Sequence, residues 1–242
     1  MPSPEVRNLF DAFNADTDEL TFTRVIPEFT AEELAKAAKK LSSGKACGPS
    51  GIPNEVLKRV VKSRPTGTLK IYNDCLRSLT FPVAWKAARL ILLHKGPDKP
   101  VDSPSSFRHI CLLDTPGKLL ERLLLQRLEA HLDDHGGRRR APNQFGFRRG
   151  ISTETAIDAV VKLAAQAGQG NWRQKRLCVL VTPDVKNAFN SLLGPVIDQA
   201  LREKGTPEYL VLMIRSWLSE RKLLVRDRMT FMAVTCGVPQ GK

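Results

Sequence analysis

Asp184 follows a continuously apolar, β-rich run, Leu177 to Val181, and Phe189 comes five residues after it. A carboxylate at the end of a buried strand is placed to hold a metal ion at the floor of a cleft. An aromatic ring so close beyond it is placed to wall off a substrate. Both residues also have plainer uses, since a strand-end Asp is a common helix N-cap and Phe189 fits a core. A second chemistry-bearing stretch is Arg138-Arg139-Arg140 and Arg148-Arg149, which bracket Gln144-Phe-Gly-Phe147 with no acid from residue 136 to 150. Such a stretch is either a solvated turn or a contact for a polyanion. His131 and His135 have i,i+4 spacing on a predicted helix, but no third metal ligand sits at motif spacing, so they read as a solvated helix end.

The whole chain sharpens the polyanion reading. It has 242 residues with 38 Lys+Arg against 25 Asp+Glu, a net charge of +13. Residues 1–34 hold eight acids and two bases, so the remaining 208 residues carry the entire positive excess, +19. Charge so unevenly placed suits a polyanionic partner such as nucleic acid. Hydrophobic residues at 42% give enough material for one large domain or two lobes. Five cysteines lie at least 28 positions apart, with neither metal-ligand nor redox spacing. They read as reduced thiols packed as small apolar residues, in keeping with the cytosol or nucleus. No apolar run is long enough to span a bilayer and no signal peptide is visible, so a membrane protein is not expected.

The elements that would position these residues follow from capping and periodicity. Residues 1–29 read as a loose lead-in. Thr30 is a natural N-cap for Ala31–Leu41, with Glu32 and Glu33 in its first turn and Lys39 and Lys40 in its last. Ser42–Pro53, punctuated by three glycines and two prolines, is a loop. Helices are expected at 54–61 and 68–78, then strands at Arg89–His94 and Phe107–Leu113. Thr115-Pro116 opens the clearest helix, whose leucines at 119, 120, 123, 124, 128 and 132 mark one apolar face, and Gly136-Gly137 ends it. Helices at 152–167, 195–204 and 207–220 follow, and residues 222–234 resemble a hairpin. Between them, Leu177–Val181 suits a strand buried on both faces, with Asp184 directly after it.

Five collinear segments resemble the reverse transcriptases of non-LTR, LINE-like retrotransposons. Gly44-Lys-Ala-Cys-Gly-Pro-Ser-Gly-Ile-Pro-Asn-Glu-Val-Leu57 is similar to the Gly-Pro-rich stretch preceding the fingers of that family. Trp85–Lys95, then Ser106-Phe-Arg108-His-Ile-Cys-Leu-Leu113 and Lys118-Leu-Leu-Glu121, resemble its first fingers motif. Asn143-Gln-Phe-Gly-Phe-Arg148, with Ser152-Thr153 and Ala156-Ile157, resembles the second. Cys178 to Ser191 resembles the first palm motif, and Gly237-Val-Pro-Gln-Gly241 the second. Together they cover residues 44–242.

The resemblance implies an α+β fold: a helix-rich fingers lobe with the partial palm sheet of a right-hand polymerase. The divisions would be an acidic lead-in at 1–43, fingers at 44–172 and palm at 173–242. It implies RNA-directed DNA synthesis with two magnesium ions, an RNA template, a DNA primer and deoxynucleoside triphosphates. Asp184 would be a shared carboxylate ligand, with the Val185 carbonyl beside it. Lys95 and Arg108 would contact the incoming triphosphate, as a point charge and a planar fork. Phe189 would crowd a ribose 2′-OH, and Gln240 would touch the incoming nucleotide. Arg138, Arg139, Arg140, Arg148 and Arg149 would follow the template backbone.

Some positions depart from the family pattern. Pro183 interrupts the strand that leads to Asp184, His109 stands where a proline is usual, Ser50 replaces an Asp and Lys242 a Ser. The family's Tyr/Phe-x-Asp-Asp pair does not occur within residues 1–242. The expectation is therefore a polymerase truncated after Pro-Gln-Gly, with thumb absent, poorly soluble and inactive alone. The alternatives are a non-enzymatic nucleic-acid-binding fragment and a translated relic of a retroelement.

Overall fold

The computed structural model describes residues 25–134, 141, 143–148, 150–170, 173, 176–185, 187–225, 231–234 and 236–239. Helix α1 (Ala31–Lys39) starts where the sequence places it. The Thr30 hydroxyl accepts from the Glu33 amide at 3.1 Å, and the Glu33 carboxylate accepts from the Thr30 amide at 2.8 Å. This capping box satisfies two amides that a bare helix start leaves without partners. Helix α2 (Asn54–Ser63) and helix α3 (Pro65–Arg77) follow the loop, with Pro65 at the first position of α3.

Strands β1 (Ala87–His94) and β2 (Phe107–Leu113) precede helix α4 (Thr115–Asp134). Helix α5 (Thr153–Ala167) is capped by Ser152. Then come the short helix α6 (Ala188–Ser191), α7 (Gly194–Glu203) and α8 (Glu208–Leu218). Strands β3 (Arg221–Leu224) and β4 (Phe231–Val234) form the expected hairpin. The fold is thus α+β, with eight helices and one four-stranded sheet among the described residues. Sheet order is β2-β1-β3-β4, antiparallel except for the parallel β1–β3 pair.

The chain separates into two compact units: residues 1–131 with 187–242, and residues 132–186. The core of the first is mostly helical. Leu119, Leu120, Leu123 and Leu124 of α4 are at most 4% exposed and join Leu34, Leu41, Tyr72, Leu76, Leu210 and Met213. Burying each leucine contributes about 1.5–3 kcal/mol. Helices α7 and α8 are tied by ions as well as by packing. Arg215, 3% exposed, forks onto both oxygens of Asp198 at 3.0 Å, and Arg202 Nε donates to the same carboxylate at 2.9 Å.

Leu177–Val181 does not form the strand expected of it. Residues 176–185 are irregular, and Leu177, Val179, Leu180 and Val181 are 67–92% exposed. A strand buried on both faces needs a neighbour on each edge and a layer over each face. The sheet of the described residues is completed by β3 beside β1, and Pro183 removes one amide from the run. The cysteine expectation is also corrected. Of the five, only Cys75 is buried, where burial, then the nearby Asp74, pushes its thiol up to about 11. Cys178 lies in the exposed run. His131 Nε2 sits 3.1 Å from the Lys204 carbonyl, while His135 falls outside the described residues.

Candidate nucleotide and nucleic-acid sites

The β1–β2 register decides where Lys95 and Arg108 lie. Arg108 stands opposite Leu93, and the Lys95 amide donates to the Ser106 carbonyl at 2.8 Å just past the last strand pair. Lys95 therefore shares the Leu93 and Arg108 face, as the diagonal neighbour of Arg108. Such neighbours lie about 7–8 Å apart, close enough for one phosphate chain to span them. Both residues are exposed, and Lys95 Nζ rests on the Ser105 carbonyl at 2.7 Å. The strand pairing, more than either charge alone, makes a two-cation surface.

The Gly-Pro-rich loop steadies the other end of β2. Gly48 packs against the Leu113–Asp114 peptide, where a Cβ would come within 2.5 Å of the Asp114 amide nitrogen. The Asp114 carboxylate, buried, accepts from the Ser50 amide at 2.8 Å, and Thr115 Oγ1 donates to the Ile52 carbonyl at 2.7 Å. Asp114 escaped the sequence reading because its partners lie 64 residues away in the chain. The glycines flagged the loop without showing what it would touch.

Phe189 and the Gly237 motif are brought together through their backbones. The Val238 amide donates to the Phe189 carbonyl and the Gly237 amide to the Leu192 carbonyl, both at 2.7 Å. Gly237 has φ +79°, and a Cβ there would lie 2.8 Å from both Asn190 Cα and the Phe189 carbonyl oxygen. Only glycine fits both the left-handed backbone and this close approach. Arg221, 7% exposed, donates from Nη2 to the Gly237 carbonyl at 2.6 Å and from Nε to the Leu218 carbonyl at 3.0 Å. Phe189 itself is 42% exposed, a side chain at the surface of its unit and not in the core.

A cavity of about 340 Å³ lies between this clasp and the sheet, lined by Ala88, Leu90, Cys111, Leu113, Asn190 and Gly237 among others. Lys86 and Arg221 also line it. Burial holds both below their usual basic ranges, and for Lys86 the Glu220 carboxylate at 3.9 Å offsets this only in part. Sequence reading missed this pair: Lys86 lies inside the Trp85–Lys95 segment without a role assigned to it, and Arg221 lies in none of the five segments.

The other predicted residues fall elsewhere. Asp184 and Val185 are exposed and belong to the 132–186 unit, whereas Lys95, Arg108 and Phe189 belong to the other. Arg148 is half-buried, and its Nη1 donates to the Ala141 and Gln144 carbonyls at 3.2 and 3.3 Å. Arg138, Arg139, Arg140, Arg149 and Gln240 lie outside the described residues. Among the described residues no three His, Cys, Asp or Glu side chains gather as a metal-binding group. One carboxylate with one backbone carbonyl does not fit a two-ion magnesium centre, which needs ligands shared between both ions. No helix among the described residues is long and apolar enough to cross a membrane.

Comparison with known proteins accounts for the order of these segments. Residues 94–242 match the family described as reverse transcriptase (RNA-dependent DNA polymerase). The probable RNA-directed DNA polymerase from transposon BS of Drosophila melanogaster is 34% identical over 221 residues, covering 89% of this chain and 23% of that protein. The RNA-directed DNA polymerase from mobile element jockey, from the same organism, is 31% identical, covering 88% and 23%. The probable RNA-directed DNA polymerase from transposon X-element is 29% identical, covering 89% and 23%. The chain thus spans less than a quarter of the length of these relatives. It belongs to the reverse transcriptase family, in the branch carried by non-LTR retrotransposons.

Proposed function

We propose that this chain is the nucleotide- and template-facing part of an RNA-directed DNA polymerase of a non-LTR retrotransposon. The observation that carries the reading is the β1–β2 register, which sets the exposed Lys95 and Arg108 on one face of the sheet. Two adjacent cations, one a point charge and one a planar fork, suit a triphosphate. Phe189, held from behind by Gly237-Val238, is proposed to crowd a ribose 2′-OH, with Gln240 touching the incoming nucleotide. Asp184 and the Val185 carbonyl are proposed as one arm of the magnesium site, whose other ligands are not gathered around them among the described residues. Arg138–Arg140, Arg148 and Arg149 would follow the template backbone.

In right-hand terms, residues 44–172 would be fingers and 173–242 part of the palm. Strands from both stretches, β1 and β3, share one sheet. A second reading, nucleic-acid binding without catalysis by residues 1–242, is favoured by one observation. Asp184 stands on an exposed irregular run with no metal-binding group around it among the described residues.

A chimera decides between the two. Residues 1–242 would replace the matching stretch of the jockey element polymerase. It should extend a DNA primer on an RNA template with magnesium and deoxynucleotides, and Asp184→Asn should abolish extension. Lys95→Ala and Arg108→Ala should raise the KM for nucleotide about tenfold or more, as expected for losing a charge-assisted contact of about 1.5–3 kcal/mol. Extension that survives Asp184→Asn, or a folded chimera that binds RNA without extending the primer, would remove the catalytic reading.

A further inference from the structure

The cavity between the sheet and the Gly237 clasp combines an apolar floor with buried charge. Ala88, Leu113, Leu223 and Met232 stand side by side across the four strands, with Leu90 and Cys111 in the next row, and all six line it. At about 340 Å³ it falls within the usual range of small-molecule sites, about 300–1,000 Å³. Lys86 and Arg221, 4% and 7% exposed, supply the charge. Arg221 donates from Nε and Nη2 to the Leu218 and Gly237 carbonyls, and the Trp217 ring centre lies 6.0 Å from its guanidinium carbon. No carboxylate among the described residues pairs with it, and its Nη1 has no acceptor among them. Lys86 Nζ meets Ser219 Oγ at 3.3 Å and the exposed Glu220 carboxylate at 3.9 Å. Two buried cations thus share one distant, solvated counter-ion. A buried charge without its opposite is unfavourable, and an anion in the cavity would relieve that cost.

We infer that this cavity binds a small monocarboxylate with an apolar chain, its head between Arg221 and Lys86 and its chain along the Ala88 and Leu90 rows. Arg221 has already given two of its nitrogens to carbonyls, so it offers one edge to a single oxygen head. A phosphate, hydrated on all sides, would have to shed water against Leu90, Leu113 and Met232 without donors to replace it. Leu90 and Cys111 alternate with Leu93 and Arg108 along their strands, so the cavity opens on the sheet face opposite the Lys95–Arg108 surface. The inference therefore goes beyond the polymerase reading and stands without it.

Calorimetric titration of residues 1–242 with octanoate tests it. Octanoate should bind at one site per chain and raise the Tm, as a ligand of the folded state does. Octanol, the same chain without the charge, should bind about tenfold or more weakly, and inorganic phosphate should not displace octanoate. Arg221→Met should weaken octanoate binding about 10- to 150-fold, the range for one charge-assisted hydrogen bond. Because Arg221 also holds the Gly237 carbonyl, a second variant leaves both cations in place. Leu90→Trp fills the cavity and should abolish binding, whereas Leu93→Trp, on the opposite face, should bind as wild type. Wild type that binds no octanoate, octanol that binds equally well, or displacement by phosphate would overturn the inference. So would undiminished binding by Leu90→Trp. None of these outcomes bears on primer extension by the chimera.

Discussion

Gly237–Pro239 and residues 177–185 carry motifs of one family, yet of the two only the first is clasped by hydrogen bonds from other parts of the chain among the described residues. The Gly237 and Val238 amides donate to the Leu192 and Phe189 carbonyls, and Arg221 donates to the Gly237 carbonyl. Leu177–Val181, richer in apolar side chains, lies exposed. A tight turn satisfies its needs from a few neighbouring groups, whereas an inner strand needs two edges and two faces supplied by others. Motif strength in a sequence therefore does not measure how well the folded chain supports that motif.

The sharpest way to break this contrast between supported and exposed chain is to delete one side chain in the helical core and one in the exposed run. Leu120, fully buried in α4, should cost about 2–5 kcal/mol on truncation to Ala, combining lost transfer energy with a cavity. Leu180→Ala, at a site 67% exposed, should stay within about 0.5 kcal/mol. Urea midpoints of the two variants measure the difference. A comparable loss in both would show that the 177–181 run is buried in solution and end the contrast.

Glycines offer a smaller but more local version. Gly237→Ala places a Cβ 2.8 Å from Asn190 Cα and forces a left-handed alanine. The strain should cost about 1–3 kcal/mol. Gly146→Ala meets nothing within 4 Å and needs no left-handed backbone, so its Tm should not fall. If Gly237→Ala melts as wild type, the clasp on Phe189 is looser than its two 2.7 Å hydrogen bonds state.

Much of the local structure was legible from the chain. Thr30 announced its helix because a hydroxyl N-cap acts within three residues. The leucine spacing of α4 fixed its buried face, and a short apolar run, followed after a polar turn by a second strand, gave β1 and β2. What could not be read was long-range choice. Nothing local says that β1 pairs in parallel with β3, more than 120 residues later. The Asp198–Arg215 fork was equally invisible, since buried ion pairs look like surface charges until the helices meet. At the candidate site, the types and order of Lys95, Arg108, Phe189 and Gly237 were legible. Their grouping, Lys95 with Arg108 and Phe189 with Gly237, came only from the register and the clasp.

The finest distinction is between ion pairs of the two compact units, and it is electrostatic. Arg127 joins α4 to the start of α1: its Nε donates to Glu33 Oε1 at 2.8 Å, and its guanidinium lies 4.4 Å from the Phe29 ring centre. Burial alone would raise the Glu33 carboxyl, but the Arg127 hydrogen bond and the Thr30 amide outweigh it and hold Glu33 below the usual 4.5. A depressed carboxylate stabilises the fold fully above its unfolded value, and that stability is lost as pH falls through the lower, folded value. Between pH 6 and pH 3 the urea midpoint should therefore drop, with part of the loss coming from this pair. Glu33→Gln should flatten that part of the acid limb while lowering the neutral plateau. Asp158 and Lys162 on α5 form an ion pair too, at 2.6 Å, but both side chains are at least 60% exposed. An exposed i,i+4 pair contributes about 0.3–0.5 kcal/mol, so Asp158→Asn should lower the urea midpoint at neutral pH by less than Glu33→Gln does. An equal loss at neutral pH in the two variants would mean that the Glu33–Arg127 pair contributes no more than an exposed pair, and the first unit would lose its electrostatic lock at α1.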